Sequence, residues 1–323
     1  MNKKIVVIGG GTGTFTVLSG LKKYEVDLSA VVSMADDGGS TGILRDELGV
    51  LPPGDIRQCL VALSTSDLLM RKLMNYRFSS GSLKGHTFGN IFLSTLEKVT
   101  ENFDEAVAKL SEILRLRGHV IPATLNKVRL VAFLTNGVIL RGQSLIRKSN
   151  LGKLRKMTLD PCATANPKAL SAIREADLIV IGPGDLYSSL IPNFLISGIS
   201  RAIVGSPAKK VYICNLMNRA EQTDHFTPFD YARKIEEYLG GRLDHIIYNN
   251  EHPPAKLLKN YMREGEHLVL PVHVKNGRFI GDKLIGRKFA KTKKGDSIKR
   301  NLVRHNPDRL ANLIVKKILL ATR

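Results

Sequence analysis

The stretch Lys3–Tyr24, "KKIVVIGGGTGTFTVLSGLKKY", decides the fold. It opens with an apolar run rich in β-branched residues, passes through clustered glycines, and continues with Phe15, Leu18 and Leu21 at helical spacing. That order predicts strand, loop, helix. A second apolar run, "DLSAVVSMADDGG" over Asp27–Gly39, predicts a strand ending at Asp36 and Asp37. The segment is therefore a βαβ unit, with parallel strands and a right-handed crossover.

Outward from this unit, helical patterns fill the chain from Gly54 to Gly118 with no strand candidate between them. This predicts a helical block, about residues 54–118, inserted between strands of the sheet. Two β runs around Thr135-Asn136-Gly137 then carry an Asn-Gly hairpin signal. Beyond it, "NPKALSAIREADLIVIGPGDLYSSLIPNFLISGISRAIVGSPAKKVYICNLM" reads as helix, strand, glycine loop, helix, strand. "FTPFDYARKIEEYLG" predicts a helix, "LDHIIYNN" a strand, and "HLVLPVHVKNGRFIGD" a further strand or hairpin. A closing amphipathic helix follows, with Pro307 in its first turn. The expected class is α/β: one Rossmann-like domain over residues 1–323, with a mostly parallel sheet, an inserted helical block and a C-terminal α/β half. The lysine-rich "RKFAKTKKGDSIKRN" is the nearest thing to a linker.

A length of 323 residues and 43% hydrophobic content support a full-sized core. No apolar run approaches the roughly 20 residues of a membrane helix, and Ile5–Ile8 breaks at glycine before it could form a signal-peptide core of about 7–15 residues. A cytoplasmic protein with no membrane span is expected. Cys59, Cys162 and Cys214 are far apart and show no Cys-x-x-Cys, so they are expected to be buried thiols rather than bridges or metal ligands. The net charge is +20, and Gly281–Arg323 carries 13 Lys and Arg against three Asp, half of the excess. Such a region suits an anionic ligand or a partner protein, or is simply a solvated basic face. Only 6% of residues are aromatic, and zinc-finger and RNA-recognition motifs are missing, which disfavours a nucleic-acid module. No His-x-x-x-His pair or Gly-x-Ser-x-Gly elbow supports metalloprotease or α/β-hydrolase chemistry.

Five segments carry candidate chemistry. Gly10, Gly11, Thr12, Gly13 and Thr14 join the first strand to its helix, where glycines let the backbone approach a phosphate. The spacing is near the dinucleotide fingerprint but has Thr14 at the third glycine position, and the lysine of a Walker A loop is missing. Asp36 and Asp37 stand where an acid accepts ribose hydroxyls in NAD-binding domains. Gly38, Gly39 and Ser40 add more amides and a hydroxyl than a ribose needs, and the carboxylates also suit a water-bound Mg²⁺. An Asp-Gly turn with a helix cap would explain one Asp and one Gly, leaving the rest. Asp55 reads as a cap of its own helix, while Arg57 suits a phosphate or sugar. His86 and Asn90 sit at another helix start, where a single His is most often structural. Gly182, Gly184, Tyr187, Ser188 and Ser189 form a glycine loop after a further strand. In a parallel sheet all these ends share one edge, and together they predict a crevice for a phosphorylated, hydroxyl-rich ligand.

Gly9–Gly13, Asp36–Ser40 with Arg45, Pro52–Arg57, Gly85–Asn90 and Ile181–Ser189, in this order, resemble the motifs of the bacterial gluconeogenesis factor family, a relative of the 2-phospho-L-lactate transferases. The resemblance spans nearly the whole chain. It implies a Rossmann-like fold and binding of a UDP-sugar, UDP-N-acetylglucosamine in particular. It also implies a cytoplasmic regulatory role linking carbon supply to cell-wall precursor synthesis and cell shape, with no established reaction and no required cofactor. On that basis Gly10–Thr14 and Gly182–Ser189 contact the diphosphate, while Asp36, Asp37 and Asn90 face the uridine, the sugar or a metal. A homo-oligomer is expected. The chain departs from the family pattern at Met34-Ala35, Gln58, Asn306 and Asp185, the last adding a negative charge beside the expected diphosphate. Two enzymatic alternatives stay open: a Mg²⁺-dependent transferase with the aspartates on the metal and His86 as base, and an NAD-dependent enzyme.

Overall fold

In the chain's computed structural model, which describes residues 2–272, 277–286 and 303–320, the first βαβ unit is β1 (Lys3–Gly9), α1 (Gly11–Leu21) and β2 (Val26–Val32), with β1 and β2 parallel. The second strand stops at Val32, so Ser33–Asp37 leaves the sheet as an extended loop rather than ending it at the aspartates. Five helices follow: α2 (Gly39–Leu48), α3 (Pro53–Leu63), α4 (Leu68–Met74), α5 (Phe88–Thr100) and α6 (Phe103–Ile113). They lie between β2 and β3 (His119–Pro122), which pairs parallel to β2. This four-residue edge strand had no distinct signal in the sequence.

The predicted hairpin forms from β4 (Arg129–Leu134) and β5 (Ile139–Arg141), and β6 (Leu154–Asp160) completes a small antiparallel sheet. A short α7 (Gln143–Ile146) precedes β6. The second half runs α8 (Pro167–Glu175), β7 (Leu178–Ile181), a wide helical turn at Leu186–Leu190, α9 (Ile191–Phe194), α10 (Ile199–Gly205) and β8 (Lys209–Ile213). It continues through α11 (Pro228–Leu239), β9 (His245–Asn249), α12 (Ala255–Met262), β10 (Phe279–Asp282) and α13 (Pro307–Asn312). The closing helix is capped by the Asn306 side chain, which accepts from the amides of Asp308 and Arg309. "RKFAKTKKGDSIKRN", and with it much of the basic C-terminal region, lies outside the described residues.

The main sheet has the order β10-β9-β8-β7-β1-β2-β3, and every pairing in it is parallel. From β1 the chain winds one way through β2 and β3, then returns to β7 on the other side and winds outward. The reversal lies between β1 and β7, the place where open α/β sheets hold ligands. Both faces are covered: Val6 and Ile8 of β1 pack into one core, Ile5 and Val7 into the other. Such two-sided burial is why these strands read as continuous apolar runs. Cys59 and Cys214 are buried as expected, but Cys162 is exposed, because it follows β6 on the edge of the small sheet rather than entering either core. Among the described residues no helix is long and apolar enough to cross a membrane.

Candidate functional site

The two glycine loops emerge at the C-terminal ends of β1 and β7 and touch. A Cβ placed on Gly13 would lie 1.9 Å from the Pro183 carbonyl oxygen, so only hydrogen fits there. Gly182 adopts φ +76°, a left-handed conformation that favours glycine, and the Gly184 amide donates to Asn215 at 3.4 Å. At Gly10 a Cβ would lie 2.3 Å from an Asp55 carboxylate oxygen, so a side chain there would have to displace Asp55. Thr14 is fully buried and its hydroxyl donates back to the Gly10 carbonyl at 3.3 Å, so it shapes the loop from within. Thr12 sits on the outer side, 3.4 Å from the Gln58 side chain.

Three carboxylates surround this point, and they play different parts. Asp36 accepts the Gly38 amide at 3.0 Å and lies against Gly54 at the start of α3, where a Cβ would be 2.9 Å from its oxygen. Burial raises its pKa, against hydrogen bonds from Gly38 and Thr41 that favour the charged form. Asp55 projects from the first turn of α3, but its carboxylate serves the start of α1, taking the Gly11 amide, rather than capping its own helix. Desolvation, and then the neighbouring Asp36 charge, push Asp55 up to about 8. Solvent still reaches part of the residue. The charges of Arg57 and Arg147 oppose the shift. Asp37 turns away from this pair and accepts the amides of Gln143 and Ser144 at 3.0 and 2.7 Å, tying the loop to α7.

Behind the carboxylates a buried polar chain connects the helical block. His86 Nδ1 lies 3.2 Å from the Ser40 hydroxyl, and Asn90 donates to the same hydroxyl at 3.2 Å. Arg57 Nε donates to Asn90 at 2.8 Å, and its Nη1 to Asn75 at 2.7 Å and to the Met74 carbonyl at 3.3 Å. Burial lowers the Arg57 pKa to about 10. Four of the motif residues are thus joined in one network, which holds α2, α3 and α5 together beneath the crevice. Arg45 reaches elsewhere and donates to the Val128 carbonyl at 2.5 Å. Gly38 is the turn that starts α2, and Gly39, at φ +47°, is exposed.

On the second loop Asp185 accepts the Ser188 amide at 3.1 Å and sits 3.6 Å from the Arg219 guanidinium, so the extra negative charge has a cationic neighbour. Tyr187 is in the core, its hydroxyl pushed up to about 12 by burial. Ser188 is buried, its hydroxyl without a partner among the described residues, and Ser189 is half-buried. The site residues that sequence reasoning missed are Asp55, Arg147 and Arg219. Asp55 had a signal, its place after Pro52-Pro53-Gly54, but its aim across to α1 is a tertiary fact. The two arginines had none.

Residues 5–278 match the 2-phospho-L-lactate transferase CofD family. A relative from Nostoc is 44% identical over 320 residues, covering 97% of this chain and 68% of its own. The gluconeogenesis factor of Bacillus subtilis is 38% identical over 315 residues, 97% of each chain. A crystal structure of a UPF0052 family protein from Bacillus halodurans superposes with a TM-score of 0.87 at 36% identity, covering 98% of this chain and 99% of the other. With near-complete coverage by relatives well above 30% identity, the chain belongs to the gluconeogenesis factor family, related to the CofD 2-phospho-L-lactate transferases.

Proposed function

We propose that this protein is a regulator that binds a nucleotide sugar, with UDP-N-acetylglucosamine or a close relative held in the crevice between the two glycine loops. It acts in the cytoplasm as a homo-oligomer, linking carbon supply to cell-wall precursor synthesis and cell shape. The observation that carries this reading is the contact of Gly13 with Pro183-Gly184 at the point where the sheet reverses. That contact brings the amides of both glycine loops to one edge of the sheet, where they suit a diphosphate, and Arg147 and Arg219 supply positive charge nearby. In this reading Asp36 accepts a ribose or sugar hydroxyl.

A second reading, a Mg²⁺-dependent transferase, has one specific observation in its favour: two buried carboxylates lie close together, burial raising both and the Asp36 charge raising Asp55 further. Mg²⁺ is commonly held by one or two carboxylates together with waters and substrate phosphates, and this pair fits such a role. When bound, the ion would neutralise phosphate charge.

The deciding experiment is calorimetric titration with UDP-N-acetylglucosamine, UDP-glucose, GDP and NAD, each with and without Mg²⁺, followed by product analysis. Selective binding of a UDP-sugar without turnover supports the regulator. Preference for GDP that needs Mg²⁺ and is lost in Asp36→Asn and Asp55→Asn would favour the transferase. Binding of NAD above all others would overturn both.

A further inference from the structure

Away from the crevice, a groove of about 1140 Å³ runs along the flank of the molecule between the C-terminal half of α1, α3, α4, the Asn75–Thr87 segment and the start of α13. Seven Lys and Arg side chains line it against one carboxylate, Asp308, which is itself paired with Lys23 at 2.5 Å. Two buried polar groups of its lining residues have no partner among the described residues: the Nε of Arg71 and the hydroxyl of Thr87, a residue only 2% exposed. Arg57, 7% exposed, also lines the groove. Buried donors without acceptors are uncommon in folded proteins and call for a ligand or ordered water. The cations are also crowded. Burial, followed by the charges of Arg71 and Lys23, lowers the Lys22 pKa, even though its ammonium donates to the Ser64 carbonyl at 2.9 Å. A bound anion would relieve that repulsion. Phe15, Tyr76 and Phe78 line the same groove, with the last two rings edge to face at 5.1 Å.

We propose that this groove is a second ligand site, independent of the crevice, for a small molecule that joins two or more phosphate groups to an aromatic body. The lining cations take the phosphates, and the lining aromatic rings take the ring. Its position also suits an effector site. Arg57 belongs both to the groove wall and to the hydrogen-bonded chain that reaches Asn90, Ser40 and His86 under the crevice.

Inorganic tripolyphosphate and adenosine triphosphate serve as probes on the full chain, with calorimetry for affinity and amide hydrogen exchange for location. Both should bind, the nucleotide about fivefold or more tightly because of stacking. The exposed pair Lys72→Glu and Lys84→Glu should weaken both probes about tenfold. Tyr76→Ala should bring the nucleotide down to the affinity of tripolyphosphate. Exchange protection should fall on residues 68–87. Unchanged affinity in the charge-reversed variant, or protection confined to Gly10–Thr14 and Gly182–Ser189, would overturn the groove site while leaving the crevice reading intact. Tripolyphosphate binding equal to that of the nucleotide in the unaltered protein would reduce the ligand class to a bare polyanion and refute the aromatic half of the proposal.

Discussion

Gly13 shows how much depends on the absence of a single carbon atom. A methyl group there meets a backbone carbonyl, which cannot swing aside as a flexible side chain would. Gly13→Ala should therefore cost about 2 kcal/mol or more through overpacking, read as a fall in the unfolding midpoint, and should abolish crevice binding. Asp55 makes a prediction in pH. Its folded pKa of about 8 stands above the ordinary carboxylate value of 3.8, so between those limits the folded state holds more protons than the unfolded one. This group's contribution to stability is fully present below about pH 4 and declines as pH rises toward 8. Asp36, also raised, acts in the same direction, whereas buried His305, lowered to about 4, acts oppositely below its ordinary value of 6.5. Comparison with Asp55→Asn isolates the effect. Between pH 5 and 8.5 the melting temperature of the unaltered protein should fall relative to that of the variant, and parallel curves would contradict the assigned environment. At this scale the sequence showed the residue types but not their aims. Asp37 and Asp55 looked like a ligand and a cap, yet Asp37 holds the amides of α7 and Asp55 faces α1.

Among the elements, the helical block and the small sheet are attached to the crevice by side chains rather than by apolar packing alone. Asp37 connects the end of the β2 loop to α7 with two hydrogen bonds. Asp37→Ala should cost about 1 kcal/mol, as loss of a capping group does, and should speed amide exchange at Gln143 and Ser144 more than in the main sheet. Arg57 joins α3 to α5 and to the end of α4 through three acceptors. Arg57→Met strands those acceptors and should destabilise the protein by about 2–4 kcal/mol in denaturant unfolding. Arg57→Lys should recover little, since an ammonium cannot reproduce the forked geometry. The elements themselves were largely legible, because periodicity is written locally: β1, α1, the hairpin and the closing helix all fall where their patterns placed them. Exceptions have local causes. The β3 strand has only four residues and draws its identity from pairing with β2, and β2 ends at Val32 because its partner β1 ends at Gly9, the Ser33 amide to the Gly9 carbonyl being the last bond of their ladder.

For the whole molecule, a crevice built from loops of both halves implies that its ligand stabilises the entire sheet. UDP-N-acetylglucosamine at about a hundredfold its dissociation constant should raise unfolding free energy by about 2.7 kcal/mol, seen as an upward shift of a single thermal transition. A midpoint indifferent to the ligand would count against the crevice as its site. What the sequence determined by itself was the α/β class, the parallel first unit, the helical insertion and the set of five polar segments, since apolar periodicity and glycine placement act over a few residues. Only the tertiary structure decided which of those segments meet. Gly13 and Pro183 are distant in the chain, and the reversal of strand order between β1 and β7 brings them together. Only folding set Asp36 beside Asp55, sent Tyr187 into the core and gathered the flank of cations around Arg71. The reason is physical: burial and charge crowding depend on distance through space, a quantity that local sequence pattern does not carry.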